Sequence, residues 1–210
     1  MIVAIANQKG GVGKTTTAIN LAAALSLRGK QTLLIDLDPQ GNSTLSFVQR
    51  ETLTVSAYEA FANPDCTLSD VIVPADRQEN LSLVPARISL AKLEARLVGE
   101  LDAHFRLKDL LAPLAKQYPY VVIDCPPQLG YLTMSALSAA TAVLVTVHPQ
   151  MLDVMSMCQF LLMTSNLLGV VSDAGGNMDY DWMRYVVTRY EPGDGPQNQM
   201  VSFMRSMFGE

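Results

Sequence analysis

A short strand that runs through a glycine-rich turn into a helix is the feature that most restricts the fold of this chain. Residues 2–6 read "IVAIA", a continuous apolar run typical of a strand buried on both faces. Residues 15–29 have helical apolar spacing, at Ile19, Ala22, Ala23 and Leu27. Between them lies "QKGGVGKTTT" (8–17). This order of strand, glycines and helix predicts a phosphate-binding loop.

The loop departs from the usual pattern G-x-x-x-x-G-K-[ST], which would place its first glycine where this chain has Gln8. A second lysine, Lys9, follows directly. The remaining residues fit the pattern, because glycines let the backbone aim its N–H groups at one point and the helix adds its positive end. We expect Lys14 to reach the β- and γ-phosphates and the Thr15 hydroxyl to bind Mg²⁺. The predicted nucleotide-binding residues here are Gly10, Gly11, Val12, Gly13, Lys14, Thr15 and Thr16. The alternative is a glycine-rich turn before an amphipathic helix.

Composition excludes several classes of protein. The 210 residues suit one α/β domain spanning 1–210, and the net charge of -5 argues against a surface that is basic throughout. Three cysteines far apart in sequence give neither a disulfide framework nor C-x-x-C metal spacing. No apolar run reaches the length of a membrane helix. We therefore expect a soluble protein of the reducing cytoplasm.

Strands alternate with helical stretches along the chain. Strands are expected in 31–38, 71–75, 81–86, 120–127, 142–149 and 183–190. Helices are expected loosely in 43–62, as a pair in 89–117 broken near Gly99, and in 133–140, 151–168 and 195–208. Repeated β-α-β units predict an α/β fold of the P-loop NTPase kind. Its twisted sheet is mostly parallel, has helices on both faces and binds ligands at the carboxyl ends of the strands.

Three aspartates end two of the predicted strands. Asp124 closes "VVID", where a carboxylate can hold Mg²⁺ through its water shell. Asp36 and Asp38 close "LLIDLD", and their spacing in an extended chain sends both carboxylates to one face. We expect Asp38 to orient or deprotonate an attacking water and Asp36 to support the metal ion. Strand capping and an Asp-Pro turn are the alternative explanations.

Three segments together resemble one known family, the deviant Walker-A ATPases of the ParA/MinD group. These segments are "KGGVGKTTT" (9–17), "LLIDLDPQGN" (33–42) and "VVIDCPPQLG" (121–130). The resemblance implies ATP and Mg²⁺ as ligands and slow, partner-stimulated hydrolysis, with Lys9, Lys14 and Asp38 as catalytic residues. It also implies that Lys9 reaches across a nucleotide-sandwich homodimer to the phosphates of the other subunit. The resemblance implies that this sequence is a distinct form of the phosphate-binding loop and not a usual loop that has lost its first glycine.

The segment "PQGN" (39–42) resembles the ParA branch, which positions plasmids, chromosomes and other cargo. From about residue 126 the chain resembles RepA of repABC plasmids, whereas its first half resembles short ParA proteins, including carboxysome-positioning ones. The branch implies non-specific DNA binding at the nucleoid in the ATP state and a ParB-like or cargo-adaptor partner. Thr188 and Pro192, with Arg189, end the strand expected beside the adenine base.

Two other ATPase classes on the same fold are alternatives. A MinD-like membrane switch needs a basic amphipathic C-terminal helix, but the tail "MVSFMRSMFGE" (200–210) has one arginine. An iron–sulfur carrier needs paired cysteines, which this chain lacks. A catalytically silent binding module is disfavoured because Lys14, Thr15 and the aspartates are all present.

We expect the 210 residues of this chain to bind DNA weakly. Members of the family normally continue past the helix near Phe208 with a further strand and helix that carry part of the basic surface. After residue 145 the cations are Arg184, Arg189 and Arg205, and acidic residues outnumber them. Scattered arginines offer few phosphate contacts, and one edge of the sheet is expected to be unpaired.

Overall fold

The computed structural model describes residues 1–96, 102–173 and 179–209. The strands in these ranges are β1 (Ile2–Ala6), β2 (Thr32–Asp36), β3 (Val73–Pro74), β4 (Leu81–Val84), β5 (Tyr120–Asp124), β6 (Ala142–Val147) and β7 (Trp182–Val187). The α-helices are α1 (Lys14–Leu27), α2 (Asn42–Leu45), α3 (Ala57–Ala62), α4 (Ala91–Arg96), α5 (Arg106–Leu111), α6 (Tyr131–Ala139), α7 (Met151–Asp173) and α8 (Gly195–Phe208). Short 3-10 helices cover Arg50–Thr52, Leu68–Val71, Ile88–Leu90, Asp102–Phe105 and Ala112–Leu114.

Within the described ranges the seven strands form one sheet in the order β3-β4-β2-β5-β1-β6-β7. Neighbouring strands are parallel, except that β3 runs antiparallel to β4. The predicted α/β fold with a mostly parallel sheet is thereby confirmed. Parallel pairing brings the carboxyl ends of β2, β5 and β1 to the same edge, and Asp36 lies opposite Asp124 in the register of β2 and β5.

Successive residues of the central strands point to opposite faces of the sheet. On one face Leu34 and Val122 pack with Ala18 and Ala22 of α1. On the other face the strands pack with α3, α5, α6, α7 and α8. Both faces are therefore covered, and this explains why the strands read as continuous apolar runs.

Several predicted boundaries shift. The buried row of α1 is Lys14, Ala18, Ala22 and Ser26, so the expected apolar position Leu27 is wrong: it is 76% exposed. Strand β2 ends at Asp36 instead of Asp38, because the backbone turns there and the Asp38 N–H donates to Asp36 Oδ1. The predicted break near Gly99 lies outside the described residues.

Among the described residues, no helix is both long enough and apolar enough to cross a bilayer. The helix α7 is the longest, with 23 residues.

The connection from β2 to α2 depends on Gly41. This residue has φ +70, and a Cβ added to it would lie 3.3 Å from the backbone oxygen of Ala86. Gly29 has a similar φ of +71 but no atom within 4 Å of the added Cβ. Substitutions at Gly41 and Gly29 therefore carry the same cost of backbone strain, but only a substitution at Gly41 adds a steric contact.

We expect Gly41→Ala to destabilise the protein more than Gly29→Ala does. The left-handed conformation alone costs a non-glycine residue about 1–2 kcal/mol, and at position 41 the contact with Ala86 adds to that cost. Urea unfolding of both variants and the parent measures the difference. Equal losses in the two variants would show that Ala86 does not restrict this turn.

Candidate functional site

The loop between β1 and α1 is fastened to the neighbouring elements by side chains at its start. Asn7 Nδ2 donates to the backbone oxygen of Thr146 on β6 at 2.7 Å. Gln8 Nε2 donates to the backbone oxygen of Ser156 on α7 at 3.0 Å. The residue that replaces the first glycine of the usual pattern thus docks the loop on α7 through its side chain.

The middle of the loop is held by Thr188, which follows β7. Its Oγ1 donates to the backbone oxygen of Val12 at 2.9 Å. A Cβ on Gly13, whose φ is +84, would lie 3.1 Å from the Thr188 methyl group. The Val12 side chain is buried. Thr188 therefore fixes the position of the loop, and a side chain at position 13 would push the two apart.

The two lysines of the loop have partners within the chain. Lys14 Nζ donates to the backbone oxygen of Lys9 at 2.8 Å, and burial lowers the pKa of Lys14, although Cys125, Asp124 and Asp38 act against that shift. The Lys9 ammonium pairs with the Asp153 carboxylate at the start of α7. His148 Nδ1 lies 3.1 Å from the same carboxylate. Both ammonium groups are thus positioned by contacts within the chain.

Asp36 and Asp124 form a buried pair at the ends of neighbouring strands; each is 0% exposed. Burial raises the pKa of Asp36 to about 7, and the charge of Asp124 adds to that rise. Burial also raises the pKa of Asp124 to about 6, while its neighbours Ser43 and Thr15 lower it. Two carboxylates so close together resist being charged at the same time.

Hydroxyl groups of α2 donate hydrogen bonds to these carboxylates. The Ser43 hydroxyl donates to Asp124 Oδ2. Thr44 donates to Asp36 Oδ2 from its backbone N–H at 2.8 Å and from its hydroxyl at 2.7 Å. The segment "GNST" (41–44) therefore supplies the polar partners of the buried pair. Sequence reasoning missed Ser43 and Thr44, since in isolation they read as ordinary turn and helix residues.

A cavity of about 560 Å³ lies over the loop. Its lining residues are Gly10, Gly11, Gly13, Lys14, Thr15, Thr16, Thr17, Asp38, Asn42, Pro127, Thr188 and Arg189. Asp38 is partly exposed there, in contrast to the buried Asp36. The loop residues, the first turn of α1, the end of β2 and the end of β7 therefore converge on one space.

Five of the predicted site residues stand apart from this lining: Lys9, Val12, Asp36, Asp124 and Pro192. Val12 contributes its backbone oxygen to Thr188. Lys9 borders a neighbouring surface with Gln8 and Leu152. Pro192 is exposed and its backbone oxygen accepts from Asn198 Nδ2 at 2.9 Å, so the structure does not bring it to the cavity. Asp36 is not a lining residue either, because both of its oxygens accept hydrogen bonds from Asp38 and Thr44.

The donor set suits a hard divalent cation beside bound phosphates. Asp124 Oδ1 is buried, and none of the described residues donates a hydrogen bond to it with good geometry. The Thr15 hydroxyl interacts with the same carboxylate and lines the cavity. A hydroxyl and a carboxylate are oxygen ligands, and Mg²⁺ takes one or two of these together with waters and phosphates. Within the described ranges, no group of three or more His, Cys, Asp or Glu side chains could hold a metal ion.

Comparison with known proteins now decides the family. Residues 1–170 match the family model described as an AAA domain. The chromosome partitioning protein ParA of Myxococcus xanthus is 39% identical over 208 residues, which cover 99% of this chain and 71% of that protein. The chain belongs to the ParA family. The resemblance inferred from the three sequence segments is thereby confirmed.

Two further proteins are similar over nearly the whole chain. A putative replication protein A of Rhizobium rhizogenes is 46% identical over 222 residues, covering 100% of this chain and 55% of that protein. The chain thus spans about half the length of that relative, and the match fits the RepA-like features of its second half. A crystal structure of cobyrinic acid a,c-diamide synthase from Mycobacterium smegmatis, with an ATP analogue and magnesium bound, superimposes with a TM-score of 0.85 at 34% identity. The superposition covers 99% of this chain and 82% of that one.

The raised pKa values of Asp36 and Asp124 predict how stability depends on pH. A carboxyl whose pKa is raised by folding binds more protons in the folded than in the unfolded state. The free energy of unfolding therefore falls as the pH rises from about 4, the ordinary pKa of aspartate, through the folded pKa values of about 6 and about 7. We expect Asp124→Asn to reduce this fall, because it removes one titrating group and its charge beside Asp36.

The measurement is urea unfolding at pH 5 and pH 8 without nucleotide and with a chelator. Asp65→Asn makes the same chemical change at an exposed position and should behave as the parent does. An equal fall in the parent and in Asp124→Asn would contradict the assignment of this pH dependence to the buried pair.

Proposed function

We propose that this chain is the ATP-dependent switch of a partition or positioning system. Mg-ATP binding in the cavity drives formation of a homodimer, and slow hydrolysis returns the monomer. The observation that carries the proposal is the convergence of the glycine-rich loop, Lys14, Thr15 and Asp38 on one cavity, with Asp124 directly behind. The name of the Myxococcus relative, a chromosome partitioning protein, supports the biological role.

Binding of the triphosphate is assigned to the loop and the first turn of α1. Backbone N–H groups of Gly10–Thr16 cradle the phosphates, and Lys14 exchanges the Lys9 carbonyl for the β- and γ-phosphates. Thr15 and Asp124 hold Mg²⁺, with Asp36 supporting Asp124 from the neighbouring strand. The bound ion supplies neutralisation of phosphate charge. Thr188 and Arg189, which also line the cavity, are assigned to the nucleoside end.

Asp38 is assigned to the attacking water. It is partly exposed in the cavity, whereas Asp36 is fully buried and bonded on both oxygens. The Asp38 backbone N–H donates to Asp36 Oδ1 at 3.1 Å, and Asp38 Oδ1 in turn accepts from the Gln40 N–H at 3.0 Å. These contacts hold the carboxylate near Lys14 and thus near the expected γ-phosphate.

Lys9 is assigned to the second subunit of the dimer. In the single chain its ammonium pairs with Asp153 and lies outside the cavity that its own loop forms. To contact the nucleotide of a partner subunit, Lys9 exchanges the Asp153 carboxylate for phosphate oxygens. ATP binding and dimerisation are coupled in this way, as in other nucleotide switches.

The wider system follows from the family. We propose that the ATP-bound dimer binds DNA without sequence specificity, at the nucleoid in the cytoplasm, and that a ParB-like or cargo-adaptor protein stimulates hydrolysis. These 210 residues alone should bind DNA weakly, because their cations are few and scattered after residue 145. The chain covers 55% of the R. rhizogenes relative. The DNA and the adaptor are therefore proposed as partners of the whole protein.

The two lysines should separate nucleotide binding from dimerisation. Lys14→Ala should weaken Mg-ATP binding by about 10- to 100-fold, because a charged hydrogen bond to the phosphates is lost. Lys9→Ala should keep nucleotide affinity close to that of the parent but abolish ATP-dependent dimerisation and turnover. Titration calorimetry with a non-hydrolysable analogue, together with light scattering, measures both properties. Dimers that form equally well without the Lys9 ammonium would place this residue outside the interface.

Asp38→Ala should bind Mg-ATP but hydrolyse it at least about 100-fold more slowly, since a group that positions or deprotonates water is removed. The variant should therefore accumulate as the ATP-bound dimer. Phosphate release and light scattering test this, with the exposed Asp65→Ala as the control. Turnover at the rate of the parent would remove Asp38 from the hydrolytic role.

A further inference from the structure

The loop between β5 and α6, residues 126–130, borders each functional part of the site. Pro127 lines the nucleotide cavity. Gln128 and Leu129 lie beside Lys9. Pro126, Pro127 and Gln128 also share a second cavity, of about 270 Å³, with Asp38 and Gln40. A shift of this loop would therefore move the surroundings of both Asp38 and Lys9.

The exit of this loop is fixed by a residue distant in sequence, Glu94 on α4. Its Oε2 accepts from the backbone N–H of Tyr131 at 2.8 Å, and its Oε1 accepts from the N–H of Leu132 at 3.1 Å. These groups belong to the first turn of α6, whose N-cap residue, Gly130, has no side chain to bind them. Glu94 thus takes the place of a capping side chain, and its negative charge suits the helix N-terminus.

Gly130 makes this contact possible. A Cβ added to Gly130 would lie 2.2 Å from Glu94 Oε2. The φ of Gly130 is -103, a value open to any residue, so the backbone itself does not require glycine. Glu94 also lines the same second cavity as Asp38. The carboxylate therefore fixes the end of the loop at the edge of a cavity that Asp38 also lines.

We propose that Glu94 is a positioning residue for ATP hydrolysis: by capping α6 it fixes the 126–130 loop relative to Asp38. This inference rests on the proposed ATPase function. It predicts a defect in turnover with little change in nucleotide affinity, because Glu94 does not line the nucleotide cavity within the described ranges. A group that acts only through the placement of others can still change the rate strongly.

The test is a cycle of Glu94→Ala, Gly130→Ala and the double variant. Glu94→Ala removes the contact, and Gly130→Ala expels the carboxylate by steric overlap. Each single variant should lower turnover at saturating Mg-ATP by about 10- to 100-fold. Nucleotide affinity should stay within about twofold of that of the parent. In the Glu94→Ala background the overlap no longer exists, so Gly130→Ala should have no further effect. Hydrogen exchange at the Tyr131 and Leu132 amides should accelerate in all three variants.

Glu59→Ala is the matched control, since Glu59 also caps a short helix, α3, by accepting from the Ser56 backbone at 2.7 Å. It should lose stability without losing turnover. The inference is overturned if Glu94→Ala keeps the turnover of the parent, if Gly130→Ala impairs both backgrounds equally, or if Glu59→Ala is as slow as Glu94→Ala. A parent protein without ATP hydrolysis would overturn the proposed function and this inference together. An active parent with an unaffected Glu94→Ala would overturn only the inference.

Discussion

The buried pair of Asp36 and Asp124 is the interaction on which the rest of the site depends. Parallel pairing of β2 with β5 places the two carboxylates side by side. Burial raises the pKa values of both, and the charge of Asp124 raises the pKa of Asp36 further. Such an arrangement is costly unless hydrogen-bond donors surround it. The donors are Ser43 and Thr44 of α2 and the Asp38 backbone. Satisfying the pair therefore also determines where α2 begins and where Asp38 lies.

The two lysines of the loop likewise bind partners within the chain. Without nucleotide, Lys14 is bonded to the backbone of Lys9, and Lys9 is paired with Asp153. Both ammonium groups thus have a partner within the chain. Asn7, Gln8 and Thr188 hold the loop in place by hydrogen bonds to neighbouring elements. Under the proposed function, phosphates compete with these internal partners. The switch is then an exchange of electrostatic partners on a loop that is already formed.

Much of the fold followed from the sequence, because continuous apolar runs, glycine punctuation and helical spacing are local signals. The strand end at Asp124 was predicted on that basis, whereas β2 was expected to run on to Asp38 and ends at Asp36. What could not be predicted depends on contacts between distant segments. The pairing of Lys9 with Asp153, the docking of Gln8 on α7 and the capping of α6 by Glu94 leave no pattern in any short stretch. The i, i+2 spacing of Asp36 and Asp38 suggested that both carboxylates lie on one face, beside the phosphates. The turn after β2 instead buries the first and leaves the second in the cavity.

If ATP and not ADP drives dimer formation, sedimentation velocity of the unmodified chain with Mg²⁺ will distinguish the two nucleotides. The chain has a mass of 22.8 kDa. The chain should sediment as a monomer with ADP and as a dimer with a non-hydrolysable ATP analogue. Identical sedimentation with the two nucleotides, both shown to be bound, would contradict dimer formation driven by ATP.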